Sequence, residues 1–226
     1  MAKLFFAIAL ALLSVSSAVA EPKKTAGQVV LDRAFDPALN FRGDPDSGGD
    51  ELVLTVWASA RDDYAPAYSL SIAYRCRMET GEYQCAYTAR MLRTGGRDKE
   101  FKRSLELVAL AKATTDATEM RRSLEEARLE WLEADVAACP NGIFAMDSVR
   151  VADWNPDIHP GLQSREDRDL IMHPAAIRVT MFGSYTRSAY EGWRLAAGVP
   201  SGIQKLLETL EPCWKPGTSR RPWNRR

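Results

Sequence analysis

Two histidines, four cysteines and one crowded run of carboxylates are the residues whose chemistry could exceed packing. His159 stands in Asp157-Ile158-His159-Pro160 and His173 in Met172-His173-Pro174. The proline after each biases it toward extended backbone, in a loop or at a strand start. A general base for a hydrolase would have to be one of these two. Asp153, Asp157, Glu166, Asp167 and Asp169 crowd the loop around His159. Oxygen ligands gathered this way could hold a hard cation. Their spacing matches no EF-hand, and Arg165 and Arg168 partly neutralise them, so a solvated loop is the better account. There is no G-x-S-x-G, H-E-x-x-H, Walker loop or G-x-G-x-x-G. No catalytic residue, metal site or cofactor is assigned on these grounds.

The cysteines are Cys76, Cys85, Cys139 and Cys213, with no Cys-x-x-Cys among them. An even count in an exported chain reads as two disulfides. Aromatic rings offer contact area at low entropy cost, and the chain has six tryptophans. Trp57, Trp154, Trp193 and Trp214 fall at element ends or in loops and are the candidate binding residues. Trp131, Tyr68 and Tyr74 sit in apolar patterns and belong to a core.

The elements that must position these residues follow from periodicity. Residues 21–50 are polar and proline-containing, around one short apolar piece at Val29-Val30-Leu31, and read as an extended polar arm. Leu52 to Trp57 is β-branched and aromatic, hence a strand. Tyr68, Leu70, Ile72, Tyr74 and Cys76 alternate with polar or small residues, and Tyr83, Cys85, Tyr87, Ala89 and Met91 repeat the pattern. Two such runs around a glycine-containing turn make a β-hairpin. With Thr80-Gly81 as the two turn residues, Cys76 faces Cys85 in a non-hydrogen-bonded pair, close enough for a disulfide. A three-residue loop would instead aim the two sulfurs at opposite faces. Cys139 is then left for Cys213.

Phe101, Leu105, Val108 and Ala109 have helical spacing. Met120, Leu124, Ala127, Trp131, Ala134 and Ala138 form a stripe expected to be one long central helix, opened at Asp116 and stopped at Pro140. Strand character is expected in Ile143 to Trp154 and in Ala176 to Phe182, with Tyr190 to Leu195 returning antiparallel. A last helix is expected from Ser201, with Ile203, Leu206, Leu207 and Leu210 facing inward. Residues 215–226 are basic, without periodicity, and read as a flexible tail. The domain proper is 51–214, of class α+β. It should hold a mainly antiparallel sheet of about five or six strands with one face covered by about three helices, closed by two disulfides.

The first twenty residues bear on compartment. Lys3 gives a positive start, Leu4 to Leu13 is an unbroken apolar run, and Ala18-Val19-Ala20 is a small-x-small cleavage pattern. Residues 1–20 thus read as a secretory signal peptide, cleaved before Glu21. The run is too short to span a bilayer, which takes about 20 apolar residues, and no later run approaches that length. Lys+Arg and Asp+Glu balance at 30 each, which offers no electrostatic reason to expect nucleic acid. The expectation is an exported accessory domain, periplasmic or extracellular, with a bacterial envelope its place. It would bind a protein or small molecule or serve structurally. The alternative is an exported hydrolase built from His159 or His173 and the carboxylates of residues 153–169.

Overall fold

Alternating side chains build the centre of the protein. The computed structural model describes residues 23–42, 50–60, 65–79, 82–95, 97–154, 175–194 and 197–224. Its strands are β1 (Glu51–Ser59), β2 (Pro66–Glu79), β3 (Glu82–Arg93), β4 (Glu130–Asp135), β5 (Ala176–Phe182), β6 (Arg187–Trp193) and β7 (Lys215–Pro216). They form one antiparallel sheet in the order β6-β5-β1-β2-β3-β4-β7. The α+β class holds, with seven strands rather than about five or six. The helices are α1 (Ala26–Ala34), α2 (Arg97–Ala113), α3 (Ala117–Glu126), α4 (Gly142–Arg150) and α5 (Val199–Leu210).

Helices cover both faces, where one covered face was expected. Leu54, Val56, Leu70, Ile72, Met91, Ile177 and Val179 turn to one side and are buried with Met146, Ile203 and Leu206 of α4 and α5. Leu92 and Trp131 turn to the other side and are buried with Val30, Leu31, Leu107, Val108, Met120 and Leu124 of α1, α2 and α3. Adjacent residues such as Met91 and Leu92 thus enter different cores, as a two-residue period requires.

Three expectations are corrected. The arm over residues 21–50 contains α1. Thr25 caps it by accepting from the Gln28 amide while the Gln28 side chain accepts from the Thr25 amide. Gly27 lets α1 approach α2, because a Cβ there would lie 2.5 Å from the Ala111 carbonyl oxygen. The long central helix is α3 followed by β4. Arg128 turns left-handed with φ 51° and ends the helical stripe, and the backbone from Glu130 bonds to β3 instead. Trp131 is core, as expected, but from a strand. Residues 143–150, read as a strand, belong to α4; Asn141, left-handed with φ 62°, precedes it.

The tail over residues 215–226 is also corrected, as far as Asn224. Lys215–Pro216 pairs with β4, Trp223 is buried, and its indole N–H donates to Glu125 Oε1 at 2.8 Å. The Trp131 indole N–H donates to the Ser219 carbonyl at 3.1 Å.

Both expected disulfides are present. The β2–β3 register runs from Tyr68↔Arg93 to Glu79↔Glu82 and sets Cys76 opposite Cys85 with Cα atoms 4.0 Å apart. β1 accompanies β2 only to Tyr74 and β4 accompanies β3 only from Thr88, so this bond staples the part of the hairpin that projects past its neighbours. Cys139–Cys213 ties the turn after β4 to the chain end of α5. Cys139 therefore follows a strand, not the helix end expected for it.

A buried polar bridge crosses the α1 side of the sheet. Arg90 lies over the Phe41 ring at 4.4 Å, donates to the Asn40 carbonyl at 3.2 Å and pairs with Glu133 at 2.9 Å. Glu133 in turn accepts from the Ser219 hydroxyl and the Thr218 amide. One guanidinium so links the N-terminal segment to the C-terminal one. Nearby, burial alone would lower the pKa of Arg93, but hydrogen bonds and charge from Glu211 and Glu130 outweigh it and hold the pKa above its ordinary value.

Candidate functional site

Trp57 is the sequence-derived candidate that the fold places in a cleft. On β1 it shares a face with Thr55, and its register partner on β5 is Arg178, next in alternation to Thr180. Among the described residues the helical cover on this side stops at β1: α1 and α2 pack over the centre of the sheet, and no described helix lies over the β5–β6 end. The step between the helices and the open strands is a cleft of about 660 Å³, within the size range of small-ligand sites. Thr55, Trp57, Arg178 and Thr180 form its floor. Lys24, Arg33 and Asp36, with Lys112 of α2, stand on its wall.

The floor combines an aromatic surface with a cation. The Arg178 guanidinium lies 4.8 Å from the Trp57 ring centroid and pairs with Glu191 of β6 at 2.8 Å. That ion pair is exposed on both sides, so it holds the guanidinium in place with little net energy. Over floor and wall together, the basic lining groups outnumber the acidic ones: Lys24, Arg33, Lys112 and Arg178 against Asp32 and Asp36. Both carboxylates have partners. Asp32 meets Lys24 at 2.7 Å, and Asp36 accepts from the Ala38 amide at 2.9 Å. The balanced chain is therefore locally positive here. Such a site can set an anionic group against guanidinium and ammonium donors, with Trp57 backing the Arg178 guanidinium.

The other candidate tryptophans do not join it. Trp154 and Trp214 are half-buried against the core under α4 and α5. The Trp214 indole N–H is buried with no partner among the described residues. Trp193 is half-buried at the far end of β6, opposite Ala176. It shares the Arg178 face but does not line the cleft.

His159, His173, Asp157, Glu166, Asp167 and Asp169 lie outside the described residues. Asp153 is described and exposed, and its carbonyl accepts from the Val199 amide at 3.3 Å. Among the described residues no group of three or more His, Cys, Asp or Glu side chains gathers as a metal site.

Arg178 and the wall cations were missed from sequence. The signal available for Arg178 was the alternation inside Ala176–Phe182, which sets Arg178 and Thr180 on the face opposite Ile177, Val179 and Met181. Nothing local announces Lys24, Arg33 or Lys112, because helix packing alone brings them to β1 and β5. No protein-family model, curated protein or solved structure matches this chain.

Proposed function

We propose that this protein is an exported binding module whose cleft between α1, α2 and strands β1 and β5 takes an anionic ligand. The observation that carries this is the stacked Trp57–Arg178 floor beneath a wall richer in cations than carboxylates. Export is supported by Lys3, the apolar run 4–13 and the Ala18-Val19-Ala20 pattern. Two disulfides favour an oxidising compartment, such as the periplasm. Among the described residues no helix is long and apolar enough to cross a membrane.

The test is calorimetric titration of the purified protein with inorganic phosphate and with tetraglutamate. At least one probe should bind, with an affinity that falls as salt rises. Arg178→Ala and Trp57→Ala should each weaken it by roughly tenfold, the loss of one charge-assisted bond or one stacked ring. Absence of binding for both probes, or equal binding by both variants, contradicts the proposal.

A further inference from the structure

The outer edge of β6 carries its own complement. β6 is the last strand of the sheet, and among the described residues no strand pairs with its far side. At the two ends of the β5–β6 ladder, the Gly183 amide donates to the Thr186 carbonyl at 2.8 Å and the Arg194 amide to the Ala175 carbonyl at 2.8 Å. The register between them is unbroken, so inward and outward bonding alternate along β6. Ser188, Tyr190 and Gly192 bond inward. Arg187, Ala189, Glu191 and Trp193 turn their N–H and C=O groups outward. Natural edge strands are commonly blunted by proline, lysine or a bulge, and β6 has none of these. The two charges it carries, Arg187 and Glu191, are opposite in sign and flank Ala189.

We propose that β6 pairs antiparallel with β6 of a second copy, with Ala189 facing Ala189 across a two-fold axis. Outward groups can meet only outward groups, which restricts the registers available. Centring on Ala189 sets Arg187 opposite Glu191 of the second copy, and Glu191 opposite its Arg187. Centring on Arg187 or on Glu191 sets like charges face to face, which destabilises a strand pair. Centring on Ser188 or Tyr190 sets Arg187 opposite Ala189 or Trp193 instead. Charge therefore selects a single register.

The side chains fit that register. Glu191 holds Arg178 through Oε1, and Oε2 is the oxygen that Arg187 of the second copy meets. The small Ala189 side chain lets the flanking charges approach. Tyr185, wholly exposed in the β5–β6 turn, is brought by the same register beside Trp193 of the second copy. The contact is isologous, as a two-fold requires, and joins two sheets into one.

Sedimentation equilibrium on the purified protein tests this. A reversible dimer is expected. Arg187→Glu and Glu191→Arg each make both cross-strand pairs repulsive and should weaken dimerisation by roughly tenfold or more. Mixed together, the two variants should associate again, because both pairs between them are attractive. Ala189→Pro removes an outward N–H that no described strand of the monomer pairs with. It should abolish the dimer and leave the thermal midpoint of the monomer nearly unchanged. Should the proline variant fail to fold, the charge variants, which leave the backbone intact, decide the matter. A wild-type protein still monomeric at about 1 mM, or a mixture of the two charge variants that fails to associate, overturns the proposal.

Discussion

Arg90 is a buried side chain on which an aromatic ring, a backbone carbonyl and a carboxylate converge. It is stacked on Phe41, hydrogen-bonded to the Asn40 carbonyl and ion-paired with Glu133. Truncating it takes the counter-charge from Glu133, which keeps its bonds from Ser219 and Thr218, and a donor from the Asn40 carbonyl. Arg90→Ala should therefore cost about 3 kcal/mol, toward the low end for a broken buried pair because Glu133 keeps some contact with water. Urea denaturation measures this, and a loss under about 1 kcal/mol would make the bridge incidental. The two disulfides also separate at this scale. Cys139 is buried, and its bond spans 74 residues of sequence against 9 for Cys76–Cys85. The chain-entropy model assigns roughly 4.5 kcal/mol to the longer loop and roughly 2.7 to the shorter. Cys139→Ser should thus lower the thermal midpoint more than Cys76→Ser, which opens a bond in an exposed hairpin. Equal losses would show that loop length does not govern these bonds.

At the scale of elements, the chain end after β7 is part of the fold. Trp223 is buried in one core with Val30 of α1 and with Met120 and Leu124 of α3, and Glu125 accepts hydrogen bonds from its indole and from Asn224. Removing residues 217–226 should cost roughly 3–5 kcal/mol, or about 10 °C in thermal midpoint. An unchanged midpoint would mean that the tail rests on the domain without holding it. The tail was illegible from sequence because one buried tryptophan amid basic residues has no period to detect. The hairpin, by contrast, was legible to the residue, since an alternating pattern and a two-residue turn leave one register. The stripe from Met120 to Ala138 misled for a physical reason. β4 sets an apolar residue on each face, Trp131 in one core and Ala134 in the other, and such a strand can satisfy a helical period by chance. α1 was lost in a polar stretch because its evidence is a capping box and a narrow apolar face, not composition.

At the scale of the whole molecule, the proposed site follows from an uneven helical cover among the described residues. α4 and α5 lie on one face of the sheet, and among the described residues α1, α2 and α3 do not reach the β5–β6 end of the other. Trp57 was legible as a candidate because aromatic residues at strand ends are conspicuous. The cations that complete the site come from α1, α2 and β5, far apart in sequence. A chain with no net charge thereby acquires a positive cleft. Pairing through β6 would set two such clefts on the same side of a continuous sheet, suited to a ligand with repeated anionic groups. The most direct test of the central claim is a nitrogen-15 NMR titration of the purified protein with phosphate and tetraglutamate. The six tryptophan indole signals and the arginine Nε–H signals are followed, with Trp57→Phe and Arg178→Lys assigning the two of interest. Saturable shifts should concentrate on Trp57 and Arg178 and leave Trp154 and Trp214 still. Saturable shifts centred on another tryptophan, with Trp57 and Arg178 unmoved, would contradict the assignment of the cleft as the binding site.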